Sequence, residues 1–351
     1  MGTLIALLVF SFLIFFHELG HFLAARFFGV HVEVFSIGFG KRILTKQFGA
    51  TQWSFSLIPL GGYVRMKGQD DADPSKKSYD YDSYNAKTPF ERIIISLAGP
   101  FANFLLAFLL YFAVANIGVP TPLANIGQLI KNSPAVQAGM QLEDTITNID
   151  GKEIKYWHEI GKALGQSEQA HQITVLRHNQ FIDLSVSPKV LETKNIFGET
   201  EKRYLLGISA NPNAMENVSY GLSDGVYFAY EQTQQASLYI LKSLQKLISG
   251  LIPMENLGGV IGMVDSTSKV THLGLVALLM FTALISVNLG VINLLPIPAL
   301  DGGHVLFHLY ELITKKPASN GIMLKLTILG WGILLCVMLL GLYNDINRLL
   351  G

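Results

Sequence analysis

The chain contains a single cysteine, Cys336. That excludes an intrachain disulfide and a cysteine-based zinc site. Charge is also scarce. Asp, Glu, Lys and Arg make up 15% of the 351 residues, where a soluble domain carries about a quarter. The 26 basic and 26 acidic side chains cancel, so the electrostatic footprint of a nucleic-acid-binding protein is missing. Met1-Gly2-Thr3 supplies no basic leader before the first apolar run. That run carries ionisable residues, so it reads as a retained span rather than a cleaved signal peptide.

What is present is largely apolar: half of the residues are hydrophobic. They gather in four blocks, at about residues 4–30, 93–119, 273–295 and 322–343. A helix needs about 20 such residues to cross a hydrocarbon core. The composition is therefore that of a polytopic membrane protein. Lys41, Arg42, Lys46, Arg65, Lys67, Lys76, Lys77, Lys87 and Arg92 lie between the first two blocks, and Lys315, Lys316 and Lys325 between the last two. The positive-inside rule predicts both loops on the cytoplasmic side, with both termini and residues 120–272 outside.

Within the first loop, Trp53, Phe55 and Leu57 alternate with polar residues, which predicts a half-buried strand. Residues 58–62 read as its turn and residues 63–66 as a returning strand, giving a hairpin. The charged run 70–77 reads as a surface loop. Outside, residues 148–152 carry a hairpin-turn signal, and residues 172–177 and 181–186 read as strands flanking a short turn. Residues 156–164 suit a short helix. Residues 227–252 suit an amphipathic helix leading back to the membrane.

The sharpest chemical signal is His17-Glu18-Leu19-Gly20-His21. Residues i and i+4 share one helix face, so both imidazoles can reach one zinc ion, with Glu18 beside them as a proton acceptor. An ionisable group in an apolar span costs about 2.5–3.5 kcal/mol on insertion scales. Three clustered there without a function would be hard to sustain. A catalytic zinc takes a third protein ligand. Asp301 and His304 both qualify on chemistry, in a segment where Pro296, Pro298, Gly302 and Gly303 interrupt the helical pattern. Broken backbone at membrane depth is tolerated where protein or a watery cavity surrounds it. An ordinary helix-capping role is the alternative for Asp301. Asn293 suits substrate backbone or a helix interface. Gly99-Pro100 suits a kink in the second span, with a direct catalytic role as the alternative.

An HExxH in the first span and the segment Asn293-Leu294-Leu295-Pro296-Ile297-Pro298-Ala299-Leu300-Asp301-Gly302-Gly303 in a later one resemble the site-2 protease family of intramembrane metalloproteases. The likeness is greatest to its bacterial branch, the regulator-of-sigma-E type. Ile58-Pro59-Leu60-Gly61-Gly62-Tyr63-Val64 is similar to the family's membrane-associated loop, and Gly99-Pro100-Phe101-Ala102-Asn103 to its GPxxN segment. Leu257-Gly258-Gly259 is similar to a Gly-rich stretch before its third span.

The resemblance implies one Zn2+ per chain held by His17, His21 and Asp301, with Glu18 as general base. It implies substrate contacts at Asn293, Gly61, Gly62 and Tyr63. The stretch from Ile126 to Gly151 resembles a bacterial PDZ domain, with Leu205, Leu206, Gly207 and Ile208 at the peptide-binding position. PDZ domains add a ligand strand to a sheet edge.

The expected fold is a polytopic α-helical membrane protein of about four transmembrane helices. It carries an inserted extracytoplasmic PDZ-like α/β domain and a cytoplasmic membrane-associated β-hairpin loop. The expected layout is 1–30 first span, 31–92 β-loop region, 93–119 second span, 120–212 PDZ-like domain, 213–272 amphipathic linker, 273–313 broken third span, and 314–351 loop and fourth span. The expected activity is cleavage of single-span membrane proteins, anti-sigma factors or remnant signal peptides among them, in a bacterial inner membrane. The active site would face the cytoplasmic side, and peptide C-termini would be partners at the PDZ-like domain. A non-catalytic PDZ scaffold is the rival. A metal transporter would need further intramembrane ligands, and the second and fourth blocks hold none.

Overall fold

A computed structural model describes residues 1–69, 78–195 and 199–350. The charged run 70–77 lies outside them. The chain forms two compact units, one of Met1–Val114 with Ser223–Gly351 and one of Ala115–Leu222.

The first unit opens with α1 (Gly2–Phe27), followed by β1 (Val32–Phe48), β2 (Thr51–Met66) and α2 (Pro89–Ile117). At 1.5 Å per residue, the 26 residues of α1 extend about 39 Å, enough to cross a bilayer core of about 30 Å. His17 and His21 fall in its later half.

β1 and β2 form one sheet, with a turn at Gly49 and Ala50. The expected hairpin within 53–66 is therefore corrected: β2 runs unbroken through residues 58–62, and its partner is the preceding strand. The glycines there, read as turn signals, mark a bend instead. β1 bends with it, at Gly38 (φ 90°) and Gly40 (φ 84°), a backbone region that a Cβ disfavours. Because both strands bend, each contributes two segments, and the sheet runs 42–48, 51–56, 34–37, 62–66. Residues 62–66 form one margin of it. Phe35 stacks on Trp53 at 4.3 Å and meets Phe15 and Phe22 of α1 edge-on. These rings fix the sheet against the helix that carries the histidines.

The second unit holds β3 (Val119–Pro122), β4 (Ile126–Leu129), α3 (Pro134–Gln137), β5 (Thr145–Ile149), β6 (Lys152–Glu153), α4 (Trp157–Leu164), β7 (His171–Arg177), β8 (Gln180–Val186), β9 (Lys189–Lys194), β10 (Thr200–Leu205), β11 (Ile208–Ala210) and β12 (Met215–Val218). Strands β6-β5-β7-β8 make a four-stranded antiparallel sheet. Its two tight turns, Asp150-Gly151 and His178-Asn179, take positive φ at both central residues, the geometry that matches strand twist. Three pairs complete the unit: β3 with β12, β4 with β11 and β9 with β10. Ile126, Ile146, Ile149, Ile173 and Val175 are wholly buried in its core. Each such side chain contributes about 1.5–3 kcal/mol.

The first unit resumes with α5 (Leu222–Ile248), α6 (Val260–Thr271), α7 (Leu275–Asn293), α8 (Asp301–Thr314) and α9 (Asn320–Leu350). α1, α2, α7 and α9 are long and apolar enough to cross a membrane. α5 packs Ala229, Ala236 and Ile240 against Ala107 and Tyr111 of α2 and Ala283, Val287 and Val291 of α7. α7 stops at Asn293, and residues 294–300 fold back before α8 begins. A Cβ on Gly302 would lie 2.4 Å from the carbonyl oxygens of Leu294 and Leu295, and one on Gly303 would lie 2.3 Å from that of Ile297. Only glycine lets the connection lie on the first turn of α8, which places Asp301. Farther along α8, Arg92 of α2 reaches Glu311 at 2.7 Å and Tyr84 Oη pairs with His308 Nε2 at 2.8 Å.

Candidate metal centre

Three side chains from two elements converge. His17 and His21 project from one face of α1, and Asp301 from the start of α8. His17 Nε2 lies 3.2 Å from Asp301 Oδ2, His21 Nε2 lies 3.3 Å from Asp301 Oδ1, and the two Nε2 atoms are 3.2 Å apart. Tetrahedral zinc binds nitrogen and oxygen at about 2.0–2.1 Å, which spaces its ligand atoms about 3.3 Å apart. The donors are of the right kind and at the right separation for one ion. Among the described residues, no other group of three His, Cys, Asp or Glu side chains converges in this way.

The outer nitrogens are engaged too. His21 Nδ1 donates to the carbonyl oxygen of Ile95 at 2.8 Å. A carbonyl only accepts, so a proton sits on Nδ1, and in the neutral ring Nε2 then turns a lone pair toward the centre. His17 Nδ1 lies 3.1 Å from Asn103 Nδ2, on α2.

The centre opens into a cavity of about 320 Å³. Glu18 lines it, buried beside the two histidines. Gly61, Gly62 and Tyr63 of β2 form one wall, and Asn293, at the end of α7, belongs to another. Arg42 donates to Tyr63 Oη at 2.9 Å, which orders that wall. A Cβ on Gly62 would lie 2.9 Å from Glu18 Cγ and one on Gly61 would overlap the Phe39 ring, so both glycines make room. His304, the rival third ligand by chemistry, lines the same cavity but lies outside the converging trio. Leu205, Leu206, Gly207 and Ile208 belong to the second unit. There Leu206 is buried, and its carbonyl accepts from the N–H of Ala135.

Two contributors are not evident from the sequence pattern. Gly99 reads as half of a kink, yet a Cβ there would lie 2.2 Å from His21 Nε2 and 2.8 Å from His17 Cε1. Asn103 stands out only as part of the GPxxN segment, yet it contacts a candidate ligand. Polarity of a wholly buried residue in an apolar span was the available signal.

The profile of peptidase family M50 matches residues 5–339. A Campylobacter jejuni protein bearing a zinc metalloprotease name is 45% identical over 348 residues, covering 99% of this chain and 94% of its own length. A Helicobacter pylori protein with a zinc metalloprotease name is 40% identical over 352 residues, covering 99% of each. The regulator of sigma-W protease RasP of Bacillus subtilis is 29% identical over 427 residues, again 99% of each. With likeness of this extent joined to a zinc-spaced donor set and four helices apolar and long enough to cross a membrane, the chain belongs to peptidase family M50, the site-2 protease family, and is a multi-pass membrane metalloprotease that uses zinc.

Proposed function

We propose that the His17, His21 and Asp301 trio holds the zinc, that Glu18 is the general base, and that the substrates are single transmembrane segments cut at the cytoplasmic side of a bacterial inner membrane. The observation that carries this reading is the convergence of three zinc donors beside a buried carboxylate, in a cavity walled by an outer sheet segment.

Bound zinc polarises a peptide carbonyl and acidifies water. The chain's own residues do the rest. A helical substrate hides its carbonyls in i to i−4 bonds and must unwind to be cut. Residues 62–66, at the sheet margin, offer the unwound strand backbone partners. Asn293, which lines the same cavity, would hold the substrate chain. Glu18 takes a proton from the attacking water and delivers it to the nitrogen of the breaking peptide bond. His21 keeps its Nε2 lone pair directed inward because the Ile95 carbonyl holds its other nitrogen. Basic loops at 41–92 and 315–325 support a cytoplasmic placement of this end of the helices.

The second unit, in this proposal, is a PDZ-like module outside the membrane. It would receive the C-terminus of a trimmed substrate at Leu205, Leu206, Gly207 and Ile208, a role supported by its compactness and by the PDZ-like stretch from residue 126 to 151. Anti-sigma factors and remnant signal peptides are the proposed substrate classes. The name of the RasP relative points toward the first.

The test is cleavage of a single-span substrate by the purified full chain in detergent, with bound zinc quantified. Glu18→Gln should keep zinc and lose cleavage, and Asp301→Ala should lose zinc. Cleavage by Glu18→Gln at the wild-type rate would remove the reaction from this site.

A further inference from the structure

Asn103 has no role in the scheme above, yet it is wholly buried between spans. Its backbone carbonyl accepts from Ser286 Oγ at 2.7 Å, which pins its position between α2 and α7. Its Nδ2 lies 3.1 Å from His17 Nδ1, and its Oδ1 is buried without a hydrogen-bond partner.

A neutral imidazole carries one proton. With the amide donating to Nδ1, that proton must sit on Nε2, from which it reaches Asp301 Oδ2 at 3.2 Å. This arrangement leaves His17 Nε2 without a free lone pair. It is incompatible with ligation, because a ligating Nε2 needs its lone pair. The proton must then sit on Nδ1, where it would face the amide N–H donors. Half a turn of the amide removes the conflict: Oδ1, the partnerless acceptor, then receives the Nδ1 proton.

We infer that Asn103 is a positioning residue that selects the tautomer of His17, turning its amide so that Nε2 is free to ligate. The inference rests on His17 being a zinc ligand. Asparagine suits the task because its two ends have nearly the same shape and opposite hydrogen-bonding sense. Partners of this kind, next to a ligand, typically change metal affinity by about 10–100-fold.

The experiment is zinc competition against a chromophoric chelator, using the purified full chain stripped of metal. Asn103→Leu offers neither donor nor acceptor and should bind zinc about 10–100-fold more weakly. Asn103→Asp, a fixed acceptor of the same size, should bind at least as tightly as wild type. Unfolding of both metal-free variants is followed alongside. If Asn103→Leu does not fold, Asn103→Asp decides alone. Wild-type affinity in a folded Asn103→Leu overturns the inference, as does an Asn103→Asp variant weakened tenfold or more. His17→Ala is the separate control. If it binds zinc as wild type does, the ligand assignment itself has failed.

Discussion

Replacing Gly99 by alanine adds one methyl group at the point where α2 passes the two imidazoles. The new Cβ would lie 2.2 Å from His21 Nε2, 2.6 Å from His21 Cε1 and 2.8 Å from His17 Cε1. Ordinary non-bonded contact needs about 3.5–4.0 Å, so the His21 ring must move by more than about 1 Å. It has little freedom to do so. Its Nδ1 is held by the Ile95 carbonyl, and α1 lies so close to α2 that a Cβ on Gly20 would meet the Ala98 carbonyl oxygen at 2.2 Å.

A displacement of about 1 Å costs on the order of 100-fold in a positioned site, about 2.7 kcal/mol. The opposing effect is helix propensity, which favours alanine over glycine by about 1 kcal/mol. Gly99→Ala should therefore lower zinc affinity, lower cleavage by about 100-fold, and destabilise the metal-free protein, because overpacking costs about 1–3 kcal/mol against a propensity gain of about 1 kcal/mol. Chelator competition, substrate cleavage and thermal unfolding without zinc read the three quantities. Gly332→Ala is the control, because a Cβ there meets nothing within 4 Å and only the propensity gain remains. Wild-type zinc affinity and cleavage in Gly99→Ala would refute the geometric argument.

Other perturbations probe the frame around the site. Asp345 of α9 is buried and accepts the backbone N–H groups of Gly259 at 3.0 Å and Gly262 at 2.8 Å, capping the start of α6. A hydrogen bond to a charged group is worth about 1.5–3 kcal/mol, so Asp345→Ala should lower the unfolding midpoint and speed amide exchange at residues 258–262; unchanged exchange there would dismiss the cap. In the second unit, the Asp150 carboxylate is held below the ordinary range by His171 Nδ1 at 2.5 Å and then by the Gln172 N–H at 2.8 Å. A depressed folded pKa contributes stability that is present above about pH 3.9, the unfolded value, and lost as pH falls through the folded one. Asp150→Asn should therefore flatten the loss of stability below about pH 4, seen by following unfolding of this unit against pH. An unchanged acid limb would assign it to other carboxylates.

The spans and the HExxH helix were legible because both are one-dimensional signals. An apolar run long enough for a bilayer and two histidines four residues apart can be counted along the chain. The second unit's turns were legible for the same reason, since Asp150-Gly151 and the polar triplet at 178–180 sit between alternating runs. The sheet beside the site was not. Residues 32–48 mix Val, Phe and Ile with four Gly, Lys or Arg interruptions between 38 and 42. Their pairing depends on a bend that places residues 34–37 between two segments of the next strand. Gly99 and Asn103 carried only a faint signal, the GPxxN resemblance and a polar residue in an apolar span, because their contacts with the histidines exist only where two helices touch. The resemblance named Asp301 as a ligand, and the convergence with His17 and His21 is what gives that expectation a physical form.

The margin of the sheet at residues 62–66 carries a further consequence. Among the described residues no additional strand pairs with it. In the proposed placement beside a membrane-embedded site, backbone N–H and C=O groups left over in hydrocarbon would be intolerable, so this margin would be wetted whenever no substrate lies along it. Hydrolysis consumes one water per bond cut. On the proposed docking of an unwound substrate along this margin, the water that hydrates the resting sheet and the water that turnover consumes would be one reservoir, part of which the substrate would displace. Slower hydrogen–deuterium exchange at residues 62–66 on substrate binding would mark that exchange of water for peptide.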